Sequence, residues 1–269
     1  MQRIILLFVA ATLGMAPAYA QNQRPDHLTP EDSILSGHHS MRLAKYDGLF
    51  TDVLADGYTR DVTLRAVVLP SFSLEYLVGL RDASAEQGTD YRVFYLRLTI
   101  SLWHYALQLW GDGSQFRFGA SSTFEIDESK NAEPRAVTKL RADEAAKPKP
   151  PLPANPKDIP LTRCEKPLDA AVAQRVSAAW KCVLRETRHP PAGSMPGLDG
   201  TGYHFSGYFR EEGFMFDDFL AGQTWSPPRD SKPGRLVELA DTLVRYCDGK
   251  AEATELERQA DALAERLNK

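Results

Sequence analysis

Apolar and polar positions alternate most clearly between Asp61 and Ile100. In Asp61–Leu69, DVTLRAVVL, the residues Val62, Leu64, Ala66 and Val68 fall on one face, which is strand spacing, and Pro70 stops the run. Glu75–Arg81 places Tyr76, Val78 and Leu80 on one side with charges at its ends, a second strand. The polar stretch Asp82–Asp90, with Gly88, reads as a hairpin loop. Tyr91–Ile100, YRVFYLRLTI, is rich in aromatic and branched residues and predicts a third strand. Trp103, Tyr105 and Trp110 follow closely, before the turn Gly111–Asp112–Gly113. Together these predict an antiparallel meander of three or four strands.

The second half changes period. Leu161–Glu165 reads as a short strand. After Pro167, a good first-turn residue, Leu168, Val172, Val176, Ala179 and Val183 recur at helix spacing to about Glu186, with Trp180 on the shoulder of the stripe. Two strands, Gly202–Tyr208 and Phe219–Trp225, come next. Leu236, Leu239, Leu243 and Tyr246 then form another helical stripe, closed by Gly249. Ala251–Lys269 carries a thinner stripe of Leu256, Ala260, Leu263 and Leu267, which suits light packing on the body or contact with a partner helix.

Between the halves, Asp127–Pro160 ends in KPKPPLPANPKDIP, whose prolines favour an extended, stiff connector. The fold expected is α+β: an antiparallel sheet, meander plus hairpin, with helices packed on one face and a Pro-rich internal connector. In chain order the expected segments are a signal peptide (1–20), a flexible arm (21–40) and a β-rich region (41–126). The connector (127–160), a helix–hairpin–helix region (161–249) and a C-terminal helix (250–269) complete it.

The first residues place the chain in a compartment. Arg3, the apolar run Ile4–Leu13 and the small-x-small site Ala18-Tyr19-Ala20 are the three parts of a secretory signal peptide, with cleavage expected after Ala20. The run is shorter than the ~20 residues that span a bilayer, and no later segment is apolar enough to do so. No cysteine follows it, which argues against a lipid anchor. The protein is therefore expected in the periplasm or secreted, and not integral to a membrane. A net charge of −4 gives no basic surface for nucleic acid.

An oxidising compartment predicts one disulfide among Cys164, Cys182 and Cys247. With short turns, the helices on either side of the hairpin run antiparallel. Cys182 and Cys247 then sit at opposite ends, roughly 20–25 Å apart at 1.5 Å per residue, beyond the ~7 Å Cα limit for a bridge. Cys164 lies at the correct end. The pairing expected is Cys164–Cys247, with Cys182 a small buried hydrophobe.

Catalytic signatures are missing: no GxSxG, HExxH, GxGxxG or GxxxxGK[ST] occurs, and neither a metal site nor a cofactor is expected. Gly193-Ser194-Met195-Pro196-Gly197 has its serine one place out. His38–His39 and His104 read as solvated and sheet histidines. His204, with Asp199 and Ser206 nearby, reads as a strand histidine, since nothing marks Ser206 as activated.

The unusual stretch is the hairpin connection, where Phe209, Phe214, Phe216 and Phe219 interleave with Glu211, Glu212, Asp217 and Asp218. Phenylalanines rimmed by acids suit binding of a basic partner protein. Phe209, Glu211, Glu212, Phe214, Phe216, Asp217 and Asp218 are the candidate binding residues, and burial of Phe214, Phe216 and Phe219 in the protein's own core is the competing reading. The function expected is non-enzymatic protein binding, as in an inhibitor or immunity-type protein. Alternatives are an envelope hydrolase drawing on Asp199, His204, Glu211 and His104, and a structural envelope scaffold.

Overall fold

Among the described residues six runs form strands: Val62–Pro70 (β1), Tyr76–Asp82 (β2), Tyr91–Leu98 (β3), Leu161–Leu168 (β4), Thr201–Phe209 (β5) and Asp218–Trp225 (β6). The computed structural model describes residues 25–30, 41–71, 73–83, 90–102, 153–190, 200–209 and 218–267. Every neighbouring pair is antiparallel, in the order β4-β3-β2-β1-β5-β6. The expected meander and hairpin are both present. They join through β1, whose Val67 lies opposite Leu77 of β2 on one side and His204 of β5 on the other. The two halves of the sequence thus build one sheet. Its β4 edge carries Arg163, Glu165, Lys166 and Pro167, residues that discourage further strand addition.

Among the described residues four α-helices accompany the sheet: Met41–Val53 (α1), Ala170–Arg185 (α2), Lys232–Cys247 (α3) and Ala253–Leu267 (α4). Leu64, Ala66, Val78, Leu80, Val93, Tyr95, Phe205 and Phe209 face α2–α4 and form the main core with them. The expected packing of helices on a sheet face is therefore present. α1 is not among the expected elements and covers the opposite face. Its Tyr46 and Phe50 join Val67, Leu77, Phe94 and Leu96 in a second core. With α1 on that side, Val67, Leu77, Phe94 and Leu96 on the second face of β1–β3 are buried as well as the residues facing α2–α4.

Local chemistry sets the helix ends. Asp169 caps α2, its carboxylate accepting from the Ala171 and Val172 N–H groups at 2.8 and 3.3 Å. Pro167 thus lies near the end of β4 and not in the first helical turn as expected. Ser231 caps α3, accepting from the Gly234 N–H at 3.0 Å, with Pro233 in the first turn. Leu256, Ala260 and Leu263 of α4 are buried in the main core, so its stripe is used on the body itself.

Two further expectations are corrected. Cys164 and Cys247 form the expected disulfide, with Cα atoms 5.9 Å apart, but Cys182 is exposed and not a buried hydrophobe. It lies with Ala171, Gln174, Arg175 and Ala178 on the solvent side of α2, one step off the Val172–Val176–Val183 stripe. The arm is not loose over residues 25–30: Leu28 is fully buried in the main core and Thr29 pairs with Gln223 of β6. The connector is described only from residue 153, and its end is packed, with Ile159 in the second core.

One glycine in the sheet is dictated by close approach. The β1–β2 register shifts between Val62 and Leu64, and a Cβ on Gly79, opposite Arg65, would overlap the Leu64 carbonyl. Gly79→Ala is expected to lower stability by about 1–3 kcal/mol, as backbone must move to admit one methyl. Urea denaturation followed by circular dichroism measures it, and a change within ~0.5 kcal/mol would contradict the approach.

Candidate functional site at the loop end of the hairpin

Strand alternation decides what the hairpin shows to solvent. Phe205, Gly207 and Phe209 of β5 point toward α2–α4, so Tyr208 points to the other face. Directly opposite it on β6 stands Phe219. The rings lie 4.9 Å apart at 44°, and each is 49% exposed. Among the described residues these are the large hydrophobic side chains left in water. Asp218 beside them is exposed as well.

Phe209 behaves differently from the sequence expectation. Its ring is buried in the main core, with the Lys181 ammonium 5.3 Å from its centroid, so it is not a surface anchor. The reason is parity: residue 209 shares the face of 205 and 207. Glu211, Glu212, Phe214, Phe216 and Asp217 lie outside the described residues. Tyr208 was absent from the sequence-derived set, although the same alternation pointed to it.

Of the residues considered for hydrolysis, His204 and Ser206 are described. They share one face of β5 and are both buried, His204 between Val67 and Gln223 and Ser206 between Arg65 and Ala221. Asp199, Glu211, His104 and the His38–His39 pair lie outside the described residues.

A second polar group sits where β2 and β5 meet α3. The Tyr76 hydroxyl donates to Asp241 Oδ1 at 3.2 Å, and the Tyr76 ring meets Tyr95 edge-on at 5.6 Å. Burial, with Asp241 adding to it, pushes the Tyr76 phenol far above its usual value, and burial raises Tyr203 as well. Burial also raises the Asp241 carboxyl. These shifts move the phenols away from neutral pH, where acid–base groups are poised. Beneath α1, the buried Glu75 accepts from the Tyr46 hydroxyl at 3.1 Å, the Ser101 hydroxyl at 3.0 Å and the Leu102 N–H at 3.3 Å. This carboxylate joins α1, β2 and the segment after β3 (such buried acceptors are costly unless satisfied).

Among the described residues no three His, Cys, Asp or Glu side chains group as a metal site, and no helix is long and apolar enough to cross a membrane. No protein-family model, curated protein or solved structure matches this chain.

Proposed function

We propose that this is an exported protein that binds another protein through the loop end of the β5–β6 hairpin, in the manner of an inhibitor or immunity-type protein. The observation that carries the reading is the Tyr208–Phe219 pair. Two large rings in cross-strand contact are kept half in water, beside a connection that bears Glu211, Glu212, Asp217 and Asp218. Aromatic anchors provide most of the contact energy at protein interfaces, and surrounding acids speed encounter with a basic partner. The partner expected is a protein with an apolar recess rimmed by lysine and arginine. Export rests on the Arg3–Ala20 sequence and is compatible with the Cys164–Cys247 bridge.

The test is affinity capture from an envelope extract, comparing the chain from Gln21 with its Tyr208→Ser/Phe219→Ser form. Because both rings are half exposed, the double variant is expected to stay folded by circular dichroism. A specific partner should bind the unaltered chain, weaken as salt rises from about 0.05 to about 0.5 M, and bind the variant at least about tenfold less. A partner retained equally by the folded variant would move the interface away from this hairpin.

A further inference from the structure

The segment Pro25–Pro30, PDHLTP, crosses the outer edge of β6 and is held at several points. Asp26 Oδ1 accepts from the Lys232 N–H at 2.7 Å, at the start of α3. The Leu28 carbonyl accepts from the Arg188 N–H at 3.0 Å, just past the end of α2. Thr29 and Gln223 exchange two backbone hydrogen bonds of 2.9 and 2.7 Å. The Gln223 side-chain amide donates to the Pro30 carbonyl at 3.0 Å. Between these contacts the Leu28 side chain is fully buried.

A recess in the sheet edge receives that leucine. A Cβ on Gly222 would come within 2.7 Å of Thr187 Oγ1 and 2.9 Å of Leu28 Cβ, so the missing side chain makes the space. Backbone pairing to an open edge, one apolar pocket and polar holds at both ends are the parts by which a sheet recognises an extended peptide. Three positions in the segment have a chemical reason: an acid for the first N–H groups of α3, a leucine for the pocket, and a proline that cannot donate to prolong the ladder.

We infer that the outer edge of β6 is a peptide-acceptor site for an extended segment of the pattern acid–X–Leu–Thr–Pro. Its resident ligand is this chain's own residues 25–30, and the occupant in trans is the same segment of a second copy. The segment pairs less extensively than a strand of the sheet. It makes one isolated bridge to β6, whereas β5 and β6 are paired at eight positions. Attachment to the same chain gives the resident segment an effective concentration of the order of millimolar. A free peptide therefore competes poorly until the resident leucine is removed.

The test uses the chain from Gln21 carrying Leu28→Ala, with a fluorescein-labelled peptide of residues 23–32 followed by anisotropy. Saturable binding is expected, at least about tenfold tighter than to the unaltered chain, whose site is occupied. A peptide with alanine at position 28, or Gly222→Val in the receiving chain, should abolish it. A folded Leu28→Ala chain that binds no peptide, or binds both peptides equally, overturns the inference. Should Leu28→Ala not fold, hydrogen exchange on the unaltered chain decides. The amides of Thr29, Arg188, Gln223 and Lys232 are expected to exchange together, roughly 100-fold faster than those of β5. Exchange of those four only with global unfolding would make the segment a fixed part of the core and the acceptor site void.

Discussion

Trp180→Ala is expected to lower stability by about 3–5 kcal/mol, the range for deleting a large buried aromatic. The indole is fully buried and meets Phe205 of β5 edge-on at 5.3 Å, so it joins α2 to the hairpin strand that pairs with β1. Its loss leaves a cavity between α2 and β5, which the surrounding side chains fill only in part. Trp180→Phe separates volume from polarity. The indole N–H has no hydrogen-bond partner among the described residues, so phenylalanine removes an unsatisfied donor as well as some volume. Its cost is expected to be less than half that of alanine. Urea denaturation by far-ultraviolet circular dichroism measures both, and a cost below ~1 kcal/mol for Trp180→Ala would contradict this packing.

Removing the disulfide is the second large effect. Cys164 lies opposite Tyr95 on the sheet edge and Cys247 ends α3, so the bridge fastens β4 to the helical layer. The cysteines are 83 residues apart. Restraining so long a loop in the unfolded chain corresponds to at most ~5 kcal/mol, and native bridges commonly contribute about 2–4. Cys164→Ala/Cys247→Ala is therefore expected to lose about 2–5 kcal/mol and to become insensitive to reductant. Cys182→Ala, on the solvent side of α2, should change stability by no more than ~0.5 kcal/mol. Unfolding with and without dithiothreitol, beside a non-reducing peptide map, makes the measurement. A Cys182–Cys247 peptide in that map would overturn the helix arrangement.

Where side chains repeat with a clear period, the sequence was readable. β1–β3 and β5–β6 were each located within two residues, because alternation and the stops at Pro70 and Asp82 are local signals. The disulfide followed from element directions alone. Elements defined by their neighbours were harder. Leu43, Tyr46, Phe50 and Val53 are spaced as a helix would need, yet Gly48 and the lack of a clear start signal obscured α1. The Pro25–Pro30 segment has one leucine and no period, and its order comes from β6, α2 and α3. Nothing local reveals that β4 pairs with β3 while β5 pairs with β1, since that choice is made across the sheet.

In the candidate site, composition drew the eye to the acidic–aromatic connection, but composition does not say which way a ring points. Phe209 and Tyr208 are adjacent, and alternation sends one to the core and the other to water. The strand period, applied to the ends of the hairpin, was the signal that separates them.

The strand order also sets a timetable. β1–β3 precede β4–β6 in the chain, yet both edges of that meander, β3 and β1, are covered only by strands from the later half. As the chain emerges from a ribosome, the early half presents two open backbone edges until Leu161–Leu168 and Thr201–Phe209 exist to close them. Completion of the fold is therefore a late event, governed by pairings such as Val67 with His204 that span much of the sequence. That delay is a hazard in a crowded compartment, because open edges recruit other strands. It also sets the interval in which a chaperone can engage the open edges, which lasts until β5 arrives.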